Sequence, residues 1–134
     1  MGPYIKHFTV NEARSMLPAL RRNLLKILDL IAEIRAYESH AGVGRTLILR
    51  GNGKGPIITG TGQQKEDAQK RIEEIASQGI IIKDLEPGLV DFPHYLGDDE
   101  TREVFLCWKL GEDTIETWHE IDAGFGGRRP LDPD

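Results

Sequence analysis

Ionisable side chains that could bind a metal or an anion concentrate in the C-terminal third of the chain. Asp91, Glu112, His119, Glu120 and Arg128 all lie at or near the ends of apolar stretches. Carboxylates and a neutral imidazole together form a mixed oxygen and nitrogen ligand set for a divalent cation. We therefore hypothesise a metal site of Asp91, His119 and Glu120, in which His119 acts as a ligand or, if the protein is hydrolytic, as a general base.

The same residues also have a purely structural interpretation. The zinc-binding pattern HExxH is absent, because Ala123 stands where the second histidine belongs. Strand alternation places His119 on one face with Ile115 and Thr117, so the ring would be buried and would need a hydrogen-bond partner. A histidine bonded to a carboxylate would serve the fold alone, and the spacing favours this interpretation over a metal site.

The glycine-rich segment 124–127 ends in Arg128 and Arg129. Such loops can turn backbone amides toward an anion while a guanidinium group holds it with two parallel hydrogen bonds. This predicts a phosphate or carboxylate site made by Asp91, Glu112, Arg128 and Arg129. The alternative, which we favour, is that Arg128 pairs with Asp91 or Glu112 within the subunit or across an interface.

No side chain stands out as a nucleophile. Cys107 is the only cysteine and lies in the middle of an apolar stretch, where a cysteine is most often a small core residue. None of the serines lies in a GxSxG pattern. A single cysteine excludes an internal disulfide bond and is typical of a reducing compartment, so we expect the protein to be cytoplasmic.

The elements that must position these residues begin with a long helix over residues 9–40. Thr9 and Glu12 have the spacing of a capping box, and apolar residues then recur every three or four positions. Pro18 interrupts the pattern, so we expect a kink there or a short helix followed by a longer one.

A glycine-rich segment over residues 41–61 separates this helix from a second one over residues 62–78. The segment fits neither phosphate-binding glycine pattern and is either a loop or a protruding hairpin; we interpret it as a loop. The second helix is predicted to begin at a capping box in Thr61–Gln64 and to end at Gly79. Two amphipathic helices joined in this way predict an antiparallel helical hairpin.

Strand sequences fill residues 80–119 and a tail follows over residues 120–134. About four strands are expected, in an antiparallel meander. The third, beginning at Glu103, is apolar on both faces, so it needs cover from the helices on one side and from the tail or a second subunit on the other. We therefore expect a homo-oligomer, and a dimer in particular. The predicted fold is α+β: a helical hairpin, with its first helix kinked near Pro18, followed by a small β-meander.

The length, composition and charge of the chain limit the kinds of protein that it can be. A chain of 134 residues with 39% hydrophobic and 29% charged residues is expected to form a single domain over residues 1–134 without a membrane span. Residues 1–78 carry a net charge of +4 and residues 79–134 one of −9. The acidic total argues against nucleic-acid binding. We expect the basic half to complement the acidic half within the molecule; the alternative is that the acidic half attracts a cation or a basic partner.

A string of short motifs runs along the chain: Phe8-Thr9-Val10-Asn11-Glu12-Ala13 with Leu17-Pro18, Lys83-Asp84-Leu85, Gly88-Leu89-Val90-Asp91-Phe92-Pro93, Val104-Phe105-Leu106-Cys107-Trp108 with Gly111-Glu112, Trp118-His119-Glu120, and Gly124-Phe125 with Gly127-Arg128-Arg129-Pro130. These motifs resemble an uncharacterised prokaryotic family, the domain of unknown function 2203, over most of the chain outside residues 41–62. The resemblance implies a cytoplasmic protein in which helices precede strands, and no established activity.

Two functional hypotheses follow from the sequence. The first is a non-enzymatic oligomeric module that contacts another protein through its helices or its acidic sheet. The second is a protein that binds a small ligand or a divalent metal, and that would support hydrolysis, with a site of Asp91, Glu112, His119, Glu120 and Arg128. No cofactor other than a divalent metal is indicated.

Overall fold

The computed structural model describes residues 6–97 and 102–131. Within these residues, three α-helices, one short 3₁₀ helix at Phe125–Gly127 and seven strands form an α+β architecture, as predicted for the class, with two antiparallel sheets in place of one. The elements are α1 (Val10–Ser15), α2 (Leu17–Ala41), β1 (Ile48–Asn52), β2 (Gly55–Ile58), α3 (Gln63–Ser77), β3 (Ile81–Asp84), β4 (Leu89–Tyr95), β5 (Glu103–Lys109), β6 (Thr117–Glu120) and β7 (Arg129–Pro130).

The start of the first helix follows the sequence signals closely. Glu12 N donates to the Thr9 hydroxyl at 3.0 Å, and Thr9 N donates to the Glu12 carboxylate at 2.9 Å, so the predicted capping box is confirmed. The helix breaks at Met16, and Pro18 lies in the first turn of α2, where no backbone N–H is needed. The prediction of a short helix followed by a longer one is therefore confirmed.

The prediction of a loop over residues 41–61 is wrong, because β1 and β2 form an antiparallel hairpin there. Ile58 is buried and Leu49 and Ile57 are exposed, so the hairpin has one packed face and one open face. The packed side is secured by α3: Ile58 N donates to Gln69 Oε1 at 2.8 Å, and Gln69 Nε2 donates to Pro56 O at 3.0 Å. These contacts come from a segment downstream, which explains why local composition did not reveal them.

The second helix ends as predicted but starts differently. Gly79 follows α3 with φ of 92°, the positive value expected of a glycine that stops a helix. The cap of α3 is Gly62 without a side-chain hydrogen bond, so the predicted capping box is wrong. Arg71 of α3 donates to Asn23 of α2 at 3.1 Å, so the two helices pack together. The hairpin β1–β2 connects them, and the predicted simple helical hairpin is not confirmed.

The second sheet has five strands in the order β3-β4-β5-β6-β7, one more than predicted. The additional strand, β7, is a two-residue segment of the predicted tail that pairs with Thr117 and Trp118 of β6. Leu106 and Trp108 of β5 face the helices and belong to the hydrophobic core, and Arg21 of α2 lies over the Trp108 ring at 5.5 Å. The residues of β5 that alternate with them therefore point to the opposite face.

That opposite face of β5 is covered within the single chain. Phe105 and Cys107 are both buried. Lys83 of β3 lies over the Phe105 ring at 5.9 Å, and Arg128, just before β7, interacts with the Cys107 thiol. Of the two covers that were expected, the tail or a second subunit, the tail is the one that covers this face. A dimer is not needed for this purpose and stays a prediction.

Within residues 6–97 and 102–131, none of the helices combines the length and the apolar character needed to cross a bilayer.

Candidate metal centre

Three potential metal ligands meet on the face of the five-stranded sheet that is turned away from the helices. Asp91 of β4 is the direct cross-strand neighbour of Cys107 in β5, and Phe105, two residues before Cys107, is the neighbour of His119 in β6. Because side chains two residues apart point the same way, Asp91, Cys107 and His119 share this face. One ligand atom from each residue lies within 4.8 Å of one ligand atom from each of the others.

Asp91 and His119 form a buried pair. His119 Nε2 lies 2.9 Å from Asp91 Oδ1, and each side chain is only 1% exposed. The second carboxylate oxygen, Oδ2, is buried and has no hydrogen-bond partner within the described part of the chain. Burial raises the pKa of Asp91, while His119 opposes the shift. An acceptor left unsatisfied in this way is costly, which makes it a candidate ligand for a cation.

The backbone fixes the orientation of the His119 ring. His119 Nδ1 lies 2.7 Å from the carbonyl oxygen of Glu120, and since a carbonyl only accepts, Nδ1 carries a proton. The other nitrogen, Nε2, therefore faces the Asp91 carboxylate. Metal-binding histidines commonly donate their second N–H to a backbone carbonyl in this manner.

Cys107 completes the cluster, although its place in an apolar stretch predicted only a core residue. Burial and the nearby Asp91 carboxylate raise the pKa of its thiol to about 12. Such a thiol is a poor nucleophile near neutral pH. A bound metal ion, however, removes the thiol proton, so the position suits a ligand. Side chains of β5 alternate between the two faces of the sheet, so Cys107 lies on the face opposite the core residues Leu106 and Trp108. This alternation was the sequence feature that could have indicated Cys107 as a ligand.

Glu112 and Arg128 lie beside the cluster and pair with each other. The Arg128 terminal nitrogens donate to the two Glu112 oxygens at 2.7 and 2.8 Å. These bonds lower the pKa of Glu112 and raise that of Arg128. The favoured alternative, an internal ion pair of Arg128 with Glu112, is confirmed.

A surface cavity of about 270 Å³ opens beside this ion pair and carries three carboxylates. Thr117, which donates to the Cys107 carbonyl at 3.3 Å, lines the same cavity. The cavity thus adjoins the strand neighbour of Cys107, and none of the three clustered residues lines it. Its lining residues are Glu112, Asp113, Thr114, Glu116, Thr117 and Arg128.

Two of the sequence-predicted site residues are not brought to the cluster. The Glu120 carboxylate pairs with Arg102 at 3.0 Å, and only the Glu120 backbone carbonyl contacts His119. Arg129 is exposed and lies over the Trp118 ring at 5.6 Å. The structure thus groups Asp91 with His119 as hypothesised and places Cys107 where the hypothesis had Glu120.

Comparison with known proteins places the chain in a family. Residues 6–131 match the family model described as "Uncharacterized conserved protein (DUF2203)". The chain belongs to the DUF2203 family. The resemblance predicted from the motifs is thereby confirmed over nearly the whole chain, and all three clustered residues of this DUF2203 protein lie within the match. No curated protein and no solved structure matches the chain.

Proposed function

We propose that this DUF2203 protein binds one divalent transition-metal ion through Asp91, Cys107 and His119. The observation that supports the proposal is the convergence of three different donor atoms, from three adjacent strands, within 4.8 Å of one another. Ligands of one tetrahedral zinc ion are about 3 to 4 Å apart, so small side-chain movements would complete the site.

The donor set favours some metals over others. Thiolate, imidazole and carboxylate together suit zinc, iron and cobalt, whereas magnesium and calcium prefer oxygen ligands alone. The charges also balance: a divalent cation with the Cys107 thiolate, the Asp91 carboxylate and a neutral His119 gives a net charge of zero. A neutral cluster is the form that a buried site tolerates best.

Asp91, Cys107 and His119 would hold the metal with three protein ligands, the number found in catalytic zinc sites. A metal bound there would supply the Lewis-acid activation of water that the hydrolytic hypothesis from the sequence requires. The acidic cavity beside Glu112 is lined by Thr117, the cross-strand neighbour of Cys107, and its carboxylates would attract a cation to this side of the sheet. A reducing cytoplasm, the predicted location, would keep Cys107 reduced and able to bind the metal.

Titration with Co²⁺ tests the proposal. Tag-free protein should bind one equivalent and develop the absorption band of sulfur-to-cobalt charge transfer. Cys107→Ala should lose the band and most of the affinity, while Glu120→Gln, a change outside the cluster, should keep both. Stoichiometric Co²⁺ binding by Cys107→Ala, or no binding by the wild-type protein, would contradict the proposal.

A second candidate function, the non-enzymatic interaction module, is favoured by the open face of the hairpin β1–β2. Leu47, Leu49 and Ile57 are exposed, and Leu49 and Ile57 are direct cross-strand partners. Adjacent exposed aliphatic side chains are typical of a surface that contacts a partner.

For this function we propose a second copy of the chain as the partner. Residues 42–62 contain Arg45, Arg50 and Lys54 and no carboxylate, whereas residues 79–134 hold 14 acidic and 5 basic residues. Opposite charges favour contact between the hairpin of one copy and the acidic half of the other. When each copy makes this contact with the other, the result is a dimer.

Light scattering tests the dimer. Leu49→Glu should shift the protein to monomer, because it places a charge in the apolar patch. Leu25→Glu, the same change at an exposed leucine of α2, should leave a dimer. A wild-type protein that stays monomeric at high concentration would exclude this function.

A further inference from the structure

Arg128 is held in a fixed position next to the proposed metal centre. Both terminal nitrogens of its guanidinium group are engaged by Glu112, and the group lies 4.5 Å from the centre of the Phe125 ring. The side chain is only 19% exposed. Of the three guanidinium nitrogens, Nε is then the one that Glu112 does not engage.

Arg128 Nε is buried and makes no hydrogen bond within the described residues. The guanidinium group as a whole lies beside the Cys107 thiol and interacts with it. A thiol is a weak acceptor, which explains why the donor is poorly satisfied by it. A thiolate bound to a metal is negatively charged and accepts N–H hydrogen bonds readily.

We propose that Arg128 is a positioning residue of the metal centre, which donates an N–H to the metal-bound sulfur of Cys107, and that Glu112 holds Arg128 in place for this purpose. The proposal rests on the proposed metal-binding function. Arg128 contacts the ligand and not the metal, so its effect is exerted through Cys107.

Glu112 resolves an electrostatic conflict in this arrangement. An unpaired guanidinium next to a divalent cation would repel it and weaken binding. The ion pair with Glu112 is neutral overall, so it offers a hydrogen-bond donor to sulfur with little repulsion of the metal. Outer-sphere partners of this kind typically change metal affinity by about 10- to 100-fold.

The charge-transfer band of the Co²⁺ form separates this role from a merely structural one. A hydrogen bond to the thiolate stabilises the sulfur electrons, so its loss should move the band to longer wavelength. Arg128→Met should therefore bind Co²⁺ about 10- to 100-fold more weakly, with a band at longer wavelength. Arg129→Met, which changes the adjacent exposed arginine, should match the wild type in both measurements.

A second variant covers the case in which Arg128→Met does not fold. Glu112→Gln keeps the arginine and the shape of its partner, and it should weaken Co²⁺ binding because the guanidinium charge is no longer balanced. If wild-type protein binds Co²⁺ and both variants match it in affinity and band position, this inference is overturned and metal binding stands. If wild-type protein binds no Co²⁺, the proposed function fails and this inference fails with it.

Discussion

Asp91 Oδ1 and His119 Nε2 lie 2.9 Å apart in a fully buried pair. The ring is oriented from its opposite side, where Nδ1 lies 2.7 Å from the Glu120 carbonyl oxygen and donates to it, because a carbonyl only accepts. A divalent cation placed between Asp91 and His119 would contact both residues. The contact in the metal-free protein thus brings together two of the proposed ligands.

Replacing Asp91 by asparagine should separate metal binding from stability. The asparagine side-chain amide can donate to His119 Nε2, so the pair would stay hydrogen-bonded without a buried charge. In the metal-free protein, we expect the free energy of unfolding to decrease by less than about 1 kcal/mol or to increase. The dissociation constant for Co²⁺ should rise by at least about 100-fold, because a lost ligand costs more than a lost outer hydrogen bond. Urea denaturation and Co²⁺ titration measure the two effects.

Asp91→Ala provides the comparison for that variant. It leaves His119 Nε2 buried without a partner, so it should cost about 1–3 kcal/mol of stability in addition to the metal site. Asp91→Asn and Asp91→Ala should therefore differ in stability and agree in metal binding. Wild-type affinity for Co²⁺ in Asp91→Asn would show that Asp91 is not a ligand.

Metal binding should release about one proton per ion from Cys107 near neutral pH. The thiol, whose pKa is raised to about 12 by burial, is protonated in the metal-free protein and must lose its proton to coordinate the metal. Affinity should therefore increase by about 10-fold per pH unit, since each released proton contributes a factor of ten. Isothermal titration calorimetry in buffers with different ionisation enthalpies counts the protons. Release of none would exclude coordination by Cys107.

The elements that the sequence predicted correctly are those set by local chemistry. Thr9 and Glu12 form a capping box within four residues, and Pro18 acts on its own turn. The hairpin β1–β2 was missed because its stability depends on Gln69 and on close packing of Gly55 against α3, both of which require the tertiary structure. Glycine content alone indicates a loop as readily as a tight hairpin.

The candidate site was predictable only in part for a related reason. His119 was expected to need a carboxylate partner, and Asp91 was among the candidates considered. The register that sets Asp91 opposite Cys107 depends on how β4 and β5 pair, which a single sequence does not specify. Glu120 was included as one of the polar residues near the strand ends, but consecutive strand residues point to opposite faces, so its carboxylate points away from His119.

The Glu112–Arg128 pair should make stability depend on pH in the acidic range. Arg128 lowers the pKa of Glu112 below its usual value of 4.5, so the stabilisation is fully present above that value and is lost as pH falls through the lower, folded-state pKa. Because the two side chains are 19% and 34% exposed, we expect about 1 kcal/mol. Urea denaturation from pH 3 to pH 7 should show Glu112→Gln less stable above about pH 5, with the difference shrinking at lower pH.

Glu116→Gln is the matched control for that measurement, because Glu116 is exposed and lines the same cavity. It should follow the wild-type stability at every pH. An equal loss in Glu112→Gln and Glu116→Gln would attribute the effect to net charge and not to the ion pair.

Gly51→Ala should destabilise the hairpin β1–β2, while Gly53→Ala should have little effect. A Cβ atom at Gly51 would overlap the backbone carbonyl oxygen of Gly55 on the facing strand, and backbone cannot move aside as a flexible side chain can. A Cβ at Gly53 has no neighbouring atom within 4 Å among the described residues. We expect Gly51→Ala to cost about 1–3 kcal/mol, as overpacking does elsewhere, measured by urea denaturation.

Faster amide hydrogen exchange should be concentrated in residues 48–58, because the strain acts first on the pairing of the two strands. Equal stability of the two variants would show that the strands do not approach each other as closely as the structure has them.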